Sequence, residues 1–273
     1  MTTSIFQVTL DNIITPDLFL FMIMVLVAQF IPLLYYRGGS GRVPEIRKLP
    51  QVDILTEFTS AAAEKGRPIL VLMAGYKHSG IAALNAYLVI TRWIAERCAT
   101  LKVRMIGTAS PGGYTPVGWG ERSLLMMQDY ARQGYIQAGV PEAFVANDIR
   151  FIPNPGANTS QYSVIIMEAI ALLKIHKPAV IFVLGNVGNT QPTLWAATDG
   201  MDILSLGMTD EGYQCALESI ICDSSTDASE MQPVAAYISG DPTLSSGMVA
   251  SDAQAYLLII VIIAMIIKTG LGL

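Results

Sequence analysis

The run Ile69–Ala74, which reads ILVLMA, decides the fold class of this chain. It is apolar at every position and too short for a helix, a combination typical of a strand that is buried on both faces of a sheet. Similar short runs recur along the sequence. They predict further strands at Val103–Thr108, Ile149–Ile152, Ala179–Leu184, Ile203–Leu206 and Ile220–Cys222.

Stretches with helical spacing of apolar residues lie between the predicted strands. They predict helices near residues 53–65, 81–99, 121–138, 160–174, 192–198, 211–218 and 229–239. Strands that alternate with helices form right-handed βαβ units, which build a parallel sheet. We therefore expect an α/β fold with a Rossmann-like, doubly wound parallel sheet of five or six strands.

Two apolar segments flank the predicted sheet. Leu18–Tyr36 carries no charge and is long enough, at about 1.5 Å per residue, to match the hydrocarbon thickness of a bilayer. Ala255–Ile267 is shorter, so an interfacial or docked helix remains its alternative interpretation. The expected organisation is an N-terminal extracytoplasmic segment at 1–16, a transmembrane helix at 17–36, a basic juxtamembrane linker at 37–48, an α/β domain at 49–252 and a C-terminal transmembrane helix at 253–273.

Basic residues are distributed unevenly around the first apolar segment. No Lys or Arg precedes it, whereas Arg37, Arg42, Arg47 and Lys48 follow it. The positive-inside rule then predicts a cell (inner) membrane protein with its N-terminus outside and its α/β domain cytoplasmic. The net charge of −5 disfavours nucleic acid as a partner and leaves the lipid bilayer as the expected one.

Scattered motifs between Arg47 and Asp252 resemble a known family. They include Gly66-Arg67-Pro68, Gln191-Pro192, Cys222-Asp223 and Ala235–Ser239 followed by Asp241-Pro242. With these motifs the chain resembles an uncharacterised prokaryotic, membrane-associated family that is described only as a domain of unknown function. The resemblance implies an α/β domain held between membrane helices, and it implies no activity.

Loops rich in Gly, Asn, Ser and Thr follow five of the predicted strands. Ligands of parallel sheets bind at the carboxyl ends of the strands, so these loops contain the candidate ligand-binding residues. One interpretation is that Ser79, Asn158 or Thr159, Asn189 and Thr209 are helix N-caps; the other is that the loops form an anion pocket for a phosphate or nucleotide-like ligand. The candidates are Gly75, Lys77, His78, Ser79, Gly112, Gly113, Asn158, Thr159, Gly185, Asn186, Gly188, Asn189, Asp210 and Glu211.

Motifs for cofactors, metals and catalysis are missing from the sequence. No GxGxxG follows the first strand and no GxxxxGK[ST] occurs, so we expect no dinucleotide or P-loop cofactor. His78 and His176 fall at opposite rims of the predicted sheet and cannot chelate one metal. The three cysteines form no CxxC pair, so we expect no metal site, and we assign no catalytic residues.

Two functions remain after these exclusions. We expect a non-catalytic, membrane-anchored scaffold or accessory subunit that self-associates as a homo-oligomer or assembles into a larger membrane complex. The alternative is a nucleotide- or phosphometabolite-binding sensor or enzyme that uses the loops at the strand ends. A channel or transporter is disfavoured because the predicted spans lack Asp, Glu, His and Arg at mid-depth.

Overall fold

A six-stranded, all-parallel sheet forms the centre of the fold. The structure is a computed structural model, and it describes residues 22–27, 30, 46–74, 81–110, 119–152, 161–226 and 228–270. The strands lie in the order β3-β2-β1-β4-β5-β6. They are β1 Ile69–Ala74, β2 Met105–Ser110, β3 Ile149–Phe151, β4 Val180–Gly185, β5 Leu204–Met208 and β6 Ser224–Thr226.

Helices precede and follow the strands along the chain. They are α1 Pro50–Lys65, α2 Ile81–Leu101, α3 Trp119–Gln137, α4 Gln161–His176, α5 Gln191–Thr198, α6 Gly212–Ile221, α7 Ala228–Ser239 and α8 Pro242–Gly270. The residues Arg47–Ser239 form one compact unit, and α8 belongs to another. The α/β fold and the parallel sheet expected from the sequence are confirmed.

Helices cover both faces of the two central strands. Every residue of β1 and β4 is buried, and alternate residues point to opposite faces of the sheet. On one face Leu70 and Ile181 pack in a core cluster with Leu173 of α4 and Trp195 of α5. On the other face Phe182 of β4 stacks with a phenylalanine of α1, and the ring centroids are 6.4 Å apart. Burial on both faces explains why these strands read as continuous apolar runs.

The sixth strand is displaced from its predicted position. The sequence predicts a strand at Ile220–Cys222, and this prediction is wrong because α6 continues to Ile221. The strand that closes the sheet is the polar segment Ser224–Thr226, which pairs with β5. The apolar run suggests a buried strand, but Ile220 is 82% exposed on the outer side of a helix and is not buried in the sheet.

The apolar segments outside the sheet unit are described only in part. Residues 22–27 and 30 are helical, and α8 contains the second apolar run. Across the ranges given above, no helix combines the length and the apolar character that crossing a membrane requires. The rest of the first expected span, namely residues 17–21, 28, 29 and 31–36, lies outside the described residues.

Candidate functional site

The strand order reverses between β1 and β4. From β1 the chain builds β2 and β3 on one side of the sheet, and β4, β5 and β6 extend it on the other side. In open α/β sheets the crevice at this reversal, outside the carboxyl ends of the strands, is the usual place for a ligand. The candidate residues after β4 and β5 lie at this edge, and they are among the residues that the structure describes.

Gly185 brings the ends of β1 and β4 together. Its φ of +101° lies in the region that favours glycine, and a Cβ built on it would lie 2.1 Å from the carbonyl oxygen of Ala74. No side chain fits at that distance. The glycine is therefore required by the close approach of two backbones at the reversal point.

Asn186 is the centre of a buried hydrogen-bond network. Its Oδ1 accepts from the backbone N–H of Gly188 at 2.7 Å and from Nε2 of Gln214 at 2.9 Å. Gln214 also donates to the carbonyl of Gly188 at 3.2 Å, and it accepts from the hydroxyl of Thr209 at 3.2 Å. Asn186, Gln214 and Thr209 are all buried. The network fixes the loop after β4 against α6, so these polar groups have a structural use.

Asp210 is joined to the first crossover helix. The hydroxyl of Tyr87, a fully buried residue of α2, donates to Oδ1 of Asp210 at 3.0 Å. Asp210 is half-buried and follows β5, whereas α2 follows β1. This hydrogen bond therefore links the segment after β1 to the segment after β5.

Two of the expected helix caps are different residues. Glu211 stands at the N-cap of α6 and makes no side-chain cap, whereas the hydroxyl of Thr209 accepts from the backbone N–H of Glu211 at 3.2 Å. Asn189 lies inside a short 3-10 turn, Gly188–Thr190, and Thr190 occupies the N-cap of α5. The N-cap interpretations of Thr209 and Asn189 are therefore wrong, because the N-caps of α6 and α5 are Glu211 and Thr190, which lie two residues and one residue further along the chain.

Glu218 is a buried carboxyl beside this network. It lies one turn after Gln214 on α6 and has no exposed surface, and burial raises its pKa to about 8. Nε2 of Gln191, at the start of α5, donates to Oε1 of Glu218 and opposes that rise in pKa. The carboxyl lies directly over Gly207 of β5, where a Cβ would be 2.4 Å from Oε2.

The raised pKa of Glu218 accompanies two buried oxygens that have no hydrogen-bond partner among the described residues. Oε2 of Glu218 and Oε1 of Gln191 make no hydrogen bond within the described part of the chain. A neutral carboxylic acid carries a proton that it donates, and a carboxamide oxygen accepts one. A pKa of about 8 favours this neutral form of Glu218 at neutral pH.

The remaining candidates lie outside the described residues. These are Gly75, Lys77, His78, Ser79, Gly112, Gly113, Asn158 and Thr159. Among the described ones, Asn186 and Gly188 are brought together through Gln214, and Asp210 and Glu211 follow β5 side by side. Within the described ranges, no group of three or more His, Cys, Asp or Glu side chains is arranged to hold a metal ion.

Four residues that make polar contacts at this edge are not among the candidates predicted from the sequence: Tyr87, Gln191, Gln214 and Glu218. They lie on helices, where polar side chains usually face water. The available signal is the spacing of Gln214 and Glu218, which are four residues apart and share one face of α6. That face is the buried one.

The strand order and the parallel pairing together define a doubly wound α/β protein with the strand order of a Rossmann fold. Residues 10–272 match the model of the family described as Domain of unknown function (DUF6754). The chain belongs to that family, which confirms the uncharacterised family expected from the scattered motifs. Neither a curated protein nor a solved structure gives a match.

Proposed function

We propose that this protein is a non-catalytic, membrane-anchored scaffold or accessory subunit. Its α/β domain lies on the cytoplasmic side of the cell (inner) membrane, and it works by self-association or by assembly into a larger membrane complex. Two surfaces described below support the proposal. One belongs to the α/β unit and the other to α8.

The observation that carries the proposal is the reversed amphipathicity of α6. Its buried residues are the polar Gln214 and Glu218, whereas Tyr213 is 49% exposed and Ile220 is 82% exposed. Tyr213 and Ile220 are seven residues apart, which is close to two helical turns, so they share one outer stripe. Exposed apolar stripes on a polar frame are typical of protein contact surfaces. A second chain that covers this stripe removes it from water.

The apolar segment of α8 supports the anchoring part of the proposal. Consecutive helical residues are about 100° apart, so its exposed apolar side chains cover several sides of the helix. A helix that is apolar on most sides is stable only where lipid or protein covers it. The exposed residues are Tyr256, Leu258, Ile259, Ile260, Ile262 and Ile263.

The mass of the purified protein in mild detergent tests the assembly. We expect light scattering coupled to gel filtration to give a protein mass at least twice the 29.4 kDa of one chain. The double variant Tyr213→Ser with Ile220→Asp should reduce that mass, because a charge on the stripe opposes its burial. Met167→Asp is the matched control, since Met167 is apolar and 64% exposed on α4. A monomeric wild-type protein refutes the assembly.

Extraction of native membranes tests the anchoring independently. Alkaline carbonate removes peripheral proteins and leaves anchored ones in the pellet, so we expect the full chain to sediment with the vesicles. Replacement of Ile259 and Ile263 by Lys should release it, because a charge in the hydrocarbon costs about 2.5–3.5 kcal/mol per residue. If the wild-type chain is released by high salt alone, the anchor is disproved.

A second candidate function rests on the reversal point of the sheet. The crevice between β1 and β4 is the position at which sheets of this order bind nucleotides, and the candidate loop residues follow these two strands. In this alternative the protein is a nucleotide- or phosphometabolite-binding sensor or enzyme. Thermal stabilisation by a nucleotide that is lost in Lys77→Ala and kept in Arg132→Ala would support it. Equal shifts in both variants, or none in the wild type, would reject it.

A further inference from the structure

A cavity lined by basic residues lies at the amino edge of the sheet, opposite the edge that carries the candidate site. It has a volume of about 720 Å³, which is within the range of roughly 300–1,000 Å³ typical of small-molecule sites. A neighbouring cavity of about 450 Å³ shares Gly66, Arg67, Pro68 and His176 with it. These residues precede β1 and β4, so both cavities open where strands begin. We call the two together the amino-edge cavity.

Every permanently charged residue that lines the amino-edge cavity is basic. These residues are Arg67, Lys102, Arg104, Lys174 and Lys177. Arg104 is paired with Asp148 at 2.5 Å, and Arg67 lies 3.5 Å from Asp202. For the three lysines, no ion pair is formed with any residue that the structure describes. The wall therefore presents cations that are free to meet an anion.

The negative ends of the nearby helices do not neutralise this positive charge. The helices α1, α4 and α2 end at this edge, at Lys65, His176 and Leu101, and each C-terminus carries about half a negative charge. Together they offset about one and a half of the lining cations. Asp148 and Asp202 offset two more. Positive charge remains in excess, and the cavity attracts anions.

Backbone conformation marks the same edge. Among the described residues, those other than glycine with a positive φ are Lys102 at 57°, Lys177 at 47° and Asp202 at 52°. The left-handed conformation is unfavourable for such residues, and it persists where the surroundings impose it. Two of the three unpaired lysines of the cavity are thus held in an unfavourable conformation at the ends of α2 and α4.

Arg67 makes the floor of the cavity rigid. Its Nε donates to the carbonyl of Lys177 at 2.8 Å, and its Nη2 donates to the carbonyls of Pro178 at 2.7 Å and Met201 at 3.2 Å. Nη1 donates to the carbonyl of Asp202 at 3.3 Å. One guanidinium thus ties together the segments that enter β1, β4 and β5, so the site is preformed and needs little ordering on binding.

The lining also contains an apolar part and a reporter. Pro68, Leu173 and Met201 face the larger cavity, so a ligand with a ring or a hydrocarbon portion fits better than a bare ion. His176 lines both parts of the cavity. Burial, followed by the charges of Arg104 and Arg150, holds the pKa of His176 below its ordinary value of 6.5.

We propose that the amino-edge cavity binds a phosphate group that is attached to an apolar or ring-containing body, with Lys102, Lys174 and Lys177 as the anion contacts. Two sources supply this chemistry: a soluble phosphate ester and the headgroup of an anionic lipid. The proposal is independent of the assembly through α6 and of the crevice at the carboxyl edge.

The test measures binding to the full chain in mild detergent by calorimetry. The probes are inorganic phosphate, adenosine monophosphate and dihexanoyl-phosphatidylglycerol below its micelle concentration, with dihexanoyl-phosphatidylcholine as the neutral-lipid control. We expect saturable binding of at least one of the two phosphate esters. Preference for the nucleotide identifies a soluble ligand, and preference for phosphatidylglycerol over phosphatidylcholine identifies a headgroup.

Charge-matched variants make the test decisive. Lys102→Asn, Lys174→Ser and Lys177→Asn together should weaken binding at least tenfold, and asparagine keeps the left-handed backbone at the first and third positions. A control that removes as many charges from exposed sites, at Arg47, Arg122 and Arg132, should bind as the wild type does. Saturation should also raise the pKa of His176, measured by NMR. Absence of binding by every probe, or binding that survives the triple lysine variant and is lost in Lys77→Ala, overturns the proposal.

Discussion

The buried carboxyl of Glu218 predicts a pH dependence of folding that a single substitution removes. In the folded protein burial raises the pKa of Glu218 to about 8, from an ordinary value of 4.5 that applies to the unfolded chain. Between these two values the folded state binds more protons than the unfolded state. The free energy of unfolding therefore falls as the pH rises from about 4.5 to about 8. The contribution of Glu218 is complete below that interval and lost above it.

The size of this effect follows from the two pKa values. A difference of one in pKa corresponds to about 1.4 kcal/mol, so the whole interval corresponds to roughly 5 kcal/mol. Between pH 5 and pH 8 the expected loss is about 3.5 kcal/mol, since part of the interval lies below pH 5. A glutamine at this position does not titrate. Relative to wild type, Glu218→Gln should gain about 3.5 kcal/mol over the same range.

Urea unfolding of the full chain in mild detergent measures the effect. The fluorescence of Trp195, which packs in the core cluster, follows the transition at each pH. Taking the difference between variant and wild type removes the titration of all other groups. Glu57→Gln serves as the control, because Glu57 is exposed on α1. Parallel pH profiles for wild type and Glu218→Gln would refute the argument, since they would mean that Glu218 is ionised in the folded state.

Two further predictions concern packing and the polar network. Gly134→Ala should destabilise the fold by about 2–4 kcal/mol in thermal unfolding, because the new Cβ would lie 2.3 Å from a backbone oxygen of α2; Gly212→Ala, which meets nothing within 4 Å, should be close to neutral. Asn186→Ala should cost about 2 kcal/mol, since it leaves the N–H of Gly188 without its partner, and a double-mutant cycle with Gln214→Ala should give a coupling energy above about 0.5 kcal/mol. Additive losses in that cycle would contradict the network.

Sequence reasoning succeeds for the centre of the sheet because burial there is uniform. The segment Ile69–Ala74 is predicted as a strand and is found as β1 with the same bounds. Neighbouring strands begin or end within about two residues of their predicted bounds, because helices cover both faces and force apolar side chains onto each. The edge of the sheet fails for the opposite reason. Ser224–Thr226 contains no apolar residue, so its sequence does not indicate a buried strand. The apolar residues near Ile220 do indicate one, but Ile220 lies on the surface.

The sequence predicts where the candidate site lies but not which side chains form its contacts. Periodicity locates the loops after β4 and β5, and the structure confirms that Asn186 and Asp210 lie at the carboxyl edge of the sheet. Their partners come from helices more than twenty residues away in sequence, as Gln214 does for Asn186. Such pairs depend on how far each helix is rotated about its axis. A single sequence contains no measure of that rotation unless the buried face happens to be polar, as it is in α6.

The hydrogen bonds of the Arg67 guanidinium have a consequence for synthesis of the chain. Its carbonyl partners lie 110 to 135 residues further along the sequence. While the ribosome is still translating the region before Asp202, the guanidinium has no complete set of acceptors. The segments that enter β1, β4 and β5 can therefore be joined through Arg67 only late in elongation. A pause or truncation upstream of Asp202 should leave an incompletely folded nascent domain that chaperones and proteases recognise.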